Sequence, residues 1–221
     1  MLMLSGFSWC EVPSADNSVP HQSCRNVPFT YERRPAVRTL CEAEGNTYLI
    51  PDNFDMSLLQ SEIGSLNVIG GAARSDPVTP LPSRSTLLTV HLERFNTEAS
   101  WPRFPIDRFF INVKAHLETL SLVNVKLLKL VSWDFKDFER LKTLRLVQVQ
   151  VEVISATIFE SLTSESGSPV LAHVEIRDGR VSSLDWAFLK PIASSLITLC
   201  PVIWTWCTSD KNFFETLYPG H

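Results

Sequence analysis

The sequence predicts an α/β solenoid with a parallel sheet on its concave face and an irregular, short-helical convex side. Two observations predict it: a three-residue apolar pattern that recurs along the chain, and columns of aliphatic and phenylalanine residues that keep phase with it. The chain has 221 residues, of which 44% are hydrophobic and 20% charged. That composition is typical of a folded domain with a sizeable core.

Each copy of the pattern starts at an apolar residue. A second apolar residue follows three positions after the first, and a third follows five positions after the first. Successive first positions are 24, 30, 24, 30 and 25 residues apart. Because alternate residues of a strand share a face, the last two apolar residues point to one side. One such unit cannot bury its own apolar side, so neighbouring units must stack. The triplets are Ile63-Leu66-Val68, Leu87-Val90-Leu92, Leu117-Leu120-Leu122, Leu141-Leu144-Leu146 and Leu171-Val174-Ile176, and Leu196-Leu199 begins a partial one.

Later columns predict how the chain returns over the sheet. An aliphatic residue lies about fourteen residues into three repeats, and Phe135, Phe159 and Phe188 lie near the nineteenth place. Short helical turns are expected on this return path. They are placed at 134–140, 155–162 and 183–190, with Asp134, Ser155 and Ser183 as their N-caps.

The units LETLSLVNVKLLKLVSWDFKDFERL and LKTLRLVQVQVEVISATIFESL resemble leucine-rich repeats. The 24-residue unit with a late Phe is most similar to the extracellular type found in secreted and cell-surface proteins. The resemblance covers about residues 63–200 and is irregular. The family usually carries Asn at the ninth place, where this chain has Gly71, Phe95, Val125, Val149 and Gly179.

The repeat pattern divides the chain into four regions. Residues 1–35 are rich in Pro and Ser and are predicted to be a poorly ordered N-terminal segment. Residues 36–62 are interpreted as an N-terminal cap, residues 63–200 as about five repeats plus a partial one, and residues 201–221 as a C-terminal tail. The run 193–207 is strongly apolar where a solenoid needs a polar end cap. We therefore expect either an improvised cap there or a truncated repeat array.

The five cysteines lie near the two ends of the chain, at positions 10, 24, 41, 200 and 207. They fit disulfides of an extracellular domain and free, buried thiols equally well. No N-glycosylation sequon occurs, which opposes an extracellular location. Repeat type and cysteine placement favour an extracellular or cell-surface location, with a cytoplasmic one as the alternative.

Catalytic, metal-binding and nucleic-acid-binding signals are weak. The sequence has none of the common hydrolase, nucleotide-binding or zinc-peptidase motifs, and no C-x-x-C pair. The formal net charge of −4 removes the usual electrostatic signature of nucleic-acid binding. The 15-residue apolar run at 193–207 contains Pro201 and is too short for a membrane-spanning helix. We expect a protein that is not an enzyme and has no cofactor, no metal and no nucleic-acid partner.

The resemblance implies a module that binds a protein partner through its concave face. The binding residues should alternate with the core columns, because adjacent strand positions face opposite sides. An alternative function is a structural subunit that stabilises a partner polypeptide through the apolar C-terminal end. The candidate partner-binding residues on the concave face are His91, Glu93, Val123, Arg145, Val147, Glu175 and Arg177.

Overall fold

The structure is a computed structural model that describes residues 22–43, 64–73, 80–81, 83, 86–97, 104–162, 170–196 and 198–203. These residues form strands with one short α-helix and two 3₁₀ segments, at Ser132–Phe135 and Trp186–Ile192. The elements are β1 (Gln22–Tyr31), β2 (Arg34–Ala43), β3 (Gly64–Ile69), β4 (Ala72–Ala73), β5 (Leu87–Glu93), β6 (Asn96–Thr97), α1 (Ile106–Phe109), β7 (Thr119–Val123), β8 (Lys126–Leu130), β9 (Thr143–Val147), β10 (Gln150–Ile154), β11 (His173–Leu184) and β12 (Thr198–Ile203).

The main sheet stacks strands from successive repeats in parallel. Its order is β2-β3-β5-β7-β9-β11-β12, and β1 joins the outer edge of β2 as an antiparallel neighbour. Leu144 pairs with Leu120 on one side and Val174 on the other, so the apolar pattern stays in register from strand to strand. Both inward columns are buried. The predicted solenoid of stacked parallel strands is confirmed.

A sharp corner occupies the eighth place of five repeats, directly after β3, β5, β7 and β9 and within β11. Arg94, Asn124, Gln148 and Asp178 have φ between 51° and 54°, and Gly70 has φ 74°. Each corner before Asp178 is tied to the next strand by its backbone. The donors are the amides of Gly70, Arg94, Asn124 and Gln148, and each acceptor is the carbonyl oxygen of the seventh-place residue on the next strand, at 2.8 Å. The residue after the corner then points inward, which is why the ninth place is occupied by buried Phe95, Val125 and Val149 rather than by Asn.

A second parallel sheet begins directly after the corners. Its order is β8-β10-β11, and the long β11 contributes its first half to the main sheet and its second half to this one. A continuous row of edge-on and tilted phenylalanine rings fills the space behind both sheets, with centroids 5.1–6.2 Å apart. The row consists of Phe95, Phe104, Phe109, Phe110, Phe138, Phe135, Phe159 and Phe188.

The described residues are mostly strand, whereas the sequence predicted an α/β class. The second strand takes five residues of the return path in the units that begin at Leu117 and Leu141, leaving room only for short turns before the next repeat. Residues 156–161 form turns, and the segment predicted at 134–140 begins as a 3₁₀ segment at Ser132. Asp134 lies inside that segment and accepts a hydrogen bond from the Val131 amide. The predicted N-cap Ser183 is part of β11, and Asp185 caps the following segment instead.

The N-terminal region departs from the expected poorly ordered segment. From residue 22 onward it forms β1 and the turn into β2, and the Cys24–Cys41 disulfide joins the two strands at a directly opposed pair. Residues 1–21, residues 44–63 of the predicted cap and residues 204–221 of the predicted tail lie outside the described part. In that described part, no helix has the length and apolar character needed to cross a membrane.

Candidate binding face

The outward face of the main sheet, which the sequence predicted to be concave and which is called the concave face below, displays the third-, fifth- and seventh-place side chains in rows that cross the sheet. Ladder pairing sets these rows in register from β3 to β11. The third-place row is Ser65, Thr89, Thr119, Thr143 and His173, the fifth is Asn67, His91, Ser121, Arg145 and Glu175, and the seventh is Ile69, Glu93, Val123, Val147 and Arg177. All seven candidate residues therefore lie on one face.

Arg145, Glu175 and Arg177 form a linked cluster on β9 and β11. The Arg145 Nε atom lies 2.6 Å from Glu175 Oε2, and the Arg177 Nε atom lies 3.4 Å from Glu175 Oε1. Arg177 also lies 3.4 Å from the Asp178 carboxylate at the corner. The arginine side chains are 44% and 45% exposed, so the cluster is accessible to a partner.

His91 and Glu93 form a second polar group on β5. The His91 Nδ1 atom lies 2.9 Å from the Ser121 hydroxyl oxygen, and its Nε2 atom lies 3.7 Å from Glu93. Burial lowers the pKa of His91 more than its contacts with Glu93 raise it. The imidazole is therefore neutral at pH 7, and the ring orders this row rather than adding charge to the face.

The two valines differ in what they can offer a partner. Val123 is half-buried, but Val147 is only 6% exposed although it belongs to an outward row. Val147 therefore contributes little accessible surface. The polar cluster carries most of the accessible candidate surface.

The hairpin of β1 and β2 also reaches this face, which the sequence did not indicate. The Tyr31 hydroxyl donates to Glu118 Oε2 at 2.8 Å, and Lys142 donates to the same oxygen at 3.0 Å. The Arg38 guanidinium lies 4.7 Å from the centre of the Phe29 ring. Hairpins often show an Asn-Gly signal, but here the two turn residues with positive φ are Glu32 and Arg33, so no sequence signal marked the turn.

A shallow depression of about 170 Å³ lies on the second sheet, away from the concave face. Lys126 and Arg180 flank Gln150 there, since Gln150 pairs with both across the ladder. Glu152 supplies an opposing charge. We assign no ligand to this depression, and Arg180 serves below as a control position.

The described residues contain no group of three His, Cys, Asp or Glu side chains placed to hold a metal ion. His91 and His173 lie on β5 and β11, which β7 and β9 separate. At about 4.8 Å per strand, the two histidines are roughly 14 Å apart, too far to share a metal.

Comparison of the chain with protein-family models, with curated proteins and with solved structures gives no match in any of the three. The fold and the face therefore define the class of protein by themselves. The chain is a mostly-strand solenoid of stacked parallel strands, with in-register rows of side chains on the outward face of its main sheet.

Proposed function

We propose that this chain is a non-catalytic leucine-rich-repeat module that binds a protein partner through its concave face. The observation that carries the proposal is the accessible cluster of Arg145, Glu175 and Arg177 on neighbouring in-register strands. Protein interfaces are enriched in Arg and combine polar rims with apolar contacts. The half-buried Val123 lies two strands from Glu175 and supplies the apolar part.

The repeat spacing and the inward Phe row support the leucine-rich-repeat assignment. The missing ninth-place Asn does not oppose it, because the corners here satisfy their backbone groups differently. In this chain the eighth-place amide bonds to the neighbouring strand, as Asn124 does to the Val147 carbonyl. Backbone hydrogen bonds between each corner and the next strand therefore take the place of the bonds that the ninth-place Asn side chains would make in the family.

We further propose an extracellular or cell-surface location. The Cys24–Cys41 disulfide supports it, because disulfides persist mainly in oxidising compartments. The absence of a sequon opposes it. Peptide mapping without reduction on the natural protein decides the matter: linked Cys24 and Cys41 peptides support an extracellular location, and two free thiols contradict it.

Charge reversal at one exposed arginine tests the concave face. Arg145→Glu places two carboxylates side by side on the face, and we expect it to abolish capture of the natural partner. Arg180→Glu makes the same chemical change on the second sheet, where Arg180 is also exposed. Wild type, Arg145→Glu and Arg180→Glu would be immobilised and exposed to the same extracellular fluid, and retained proteins quantified by mass spectrometry.

A protein retained by wild type and Arg180→Glu but lost with Arg145→Glu would then be purified and its Kd measured against all three. Thermal melting of each variant checks folding, and we expect nearly unchanged midpoints, because exposed ion pairs contribute little. Equal retention by all three variants contradicts the concave-face proposal.

A further inference from the structure

The tip of the N-terminal hairpin precedes the described pairing between β2 and β3. Pairing between β2 and β3 begins at Val37, so Arg34, Pro35 and Ala36 precede the part of β2 that β3 holds. The antiparallel partners of these three residues, Phe29 to Tyr31, lie beyond it as well. The described ladder between β2 and β3 therefore starts after the distal half of the hairpin.

This distal half folds over the concave face. Tyr31 hydrogen-bonds Glu118, the residue just before β7, although β3 and β5 lie between β2 and β7. Three strand spacings correspond to roughly 14 Å, so the tip must cross the starts of β3 and β5 to reach Glu118. Glu118 directly precedes Thr119, an outward, third-place residue, so the contact lies at the start of the concave side of β7.

Burial of outward-facing side chains beneath the hairpin agrees with this path. Ser65 occupies the third place of β3 and is only 1% exposed, although its row faces outward. Arg38 is its neighbour in the same row and is held against Phe29 of β1. At the other end of the sheet, His173 occupies the third place of β11 and is exposed. The two ends of one row thus differ in accessibility.

In the part of the chain that the structure describes, the Tyr31 side chain holds the hairpin against the residue before β7. The Tyr31 hydroxyl is the donor to Glu118, and burial together with that carboxylate raises the pKa of Tyr31, so the phenol stays protonated. Closure also leaves a cost, since the buried Arg38 Nε has no hydrogen-bond partner among the described residues. In the described residues, closure thus combines one hydrogen bond to a carboxylate with one unsatisfied donor.

We propose that the distal hairpin, residues 29–36, is an intramolecular lid that occupies the concave face over β3 and β5 and competes there with the partner. The Tyr31–Glu118 hydrogen bond is its latch. This regulation rests on the proposed function, because a lid matters only if the face binds. Its existence, however, is tested without any partner.

The experiment measures access to the covered row. Ser65→Cys places a thiol under the lid, and Ser183→Cys places one on the exposed second half of β11, far from the hairpin. Each thiol is labelled with a small maleimide under non-reducing conditions, and the rate is read peptide by peptide by mass spectrometry. We expect Ser65→Cys to react much more slowly than Ser183→Cys.

The latch is then removed by Tyr31→Phe, which deletes one hydroxyl and keeps the ring. Loss of a hydrogen bond to a charged group should raise the labelling rate at position 65 by about tenfold. Lys142→Gln is the matched control, because it removes the positive charge of the other donor to Glu118 and leaves the Tyr31 bond intact. We expect that control to leave the rate at position 65 nearly unchanged.

Three results would overturn the lid. An unchanged rate at position 65 in Tyr31→Phe means that Ser65 is covered by neighbouring side chains rather than by the hairpin. Equal acceleration at positions 65 and 183 means that the change loosens the whole protein. Equal acceleration by Lys142→Gln means that Glu118, and not the Tyr31 bond, controls access. If the labelling results confirm the lid but no retained protein is lost with Arg145→Glu, the proposed function is contradicted and the lid is not.

Discussion

At the scale of single residues, neighbouring positions on one strand have separate roles. Leu144 points inward and is 0% exposed, whereas its neighbour Arg145 points outward and is 44% exposed. The sequence predicted this alternation because the apolar pattern specifies which face is buried. It could not predict that Val147 would be covered or that Tyr31 would reach the face. Both depend on contacts between distant segments that leave no local pattern.

Leu144→Ala tests the inward column. Leu144 is packed between Leu120 and Val174, and stacked strands on both sides limit how far the cavity can collapse. We expect the free energy of unfolding to fall by about 2–5 kcal/mol. Chemical denaturation monitored by circular dichroism measures it.

Thr143→Ala is the control, since Thr143 lies on the same strand, faces outward and is only half-buried. It should change the stability by less than about 0.5 kcal/mol. Similar losses of stability in both variants would mean that any truncation in β9 is destabilising, whichever face the side chain is on.

At the scale of elements, the strands of the main sheet were predictable and the corners were not. A strand repeats one kind of residue on one face, and that repetition is visible in sequence. The corner repeats a backbone conformation instead, with Gly70, Arg94, Asn124, Gln148 and Asp178 at the equivalent place. Five different side chains share one φ region, so no residue type marked it. The second sheet was missed for the same reason, because it begins at that corner.

Gly70→Ala tests the corner. Gly70 has φ 74°, and a Cβ atom there would clash with the Ala43 carbonyl oxygen. Relieving this contact requires a shift of the backbone. We therefore expect the free energy of unfolding to fall by more than about 1–2 kcal/mol, which is the strain of an L-residue in the left-handed conformation alone. Thermal and chemical denaturation measure the loss.

Gly64→Ala is the matched control for Gly70→Ala. A Cβ atom at Gly64 would meet the Thr86 carbonyl oxygen at 3.5 Å, which is an ordinary contact. This variant should be neutral or slightly stabilising, because Ala restricts the unfolded chain more than Gly does. If Gly70→Ala were as stable as Gly64→Ala, the β3 corner would not need its left-handed conformation.

At the scale of the whole molecule, the solenoid limits how far a local change can spread. Each strand of the main sheet pairs only with its immediate neighbours in the described residues, so energetic coupling passes step by step. The continuous Phe row links the repeats behind the sheet from Phe95 to Phe188. The hairpin lies outside this row and depends on the disulfide, the pairing with β3 and the Glu118 contact.

Reduction of the Cys24–Cys41 disulfide should therefore loosen one end of the solenoid and leave the rest intact. The bond spans 17 residues of sequence, and closing a loop of that size contributes about 3 kcal/mol. Hydrogen–deuterium exchange with and without a dithiol measures the effect on peptides from 22–43 and from 141–154. We expect faster exchange in the hairpin and unchanged protection in β9 and β10. The double variant Cys24→Ser/Cys41→Ser should reproduce this pattern and show no further response to the dithiol. Faster exchange throughout the main sheet would contradict it, because the hairpin would then stabilise the whole solenoid cooperatively rather than cover one end of it.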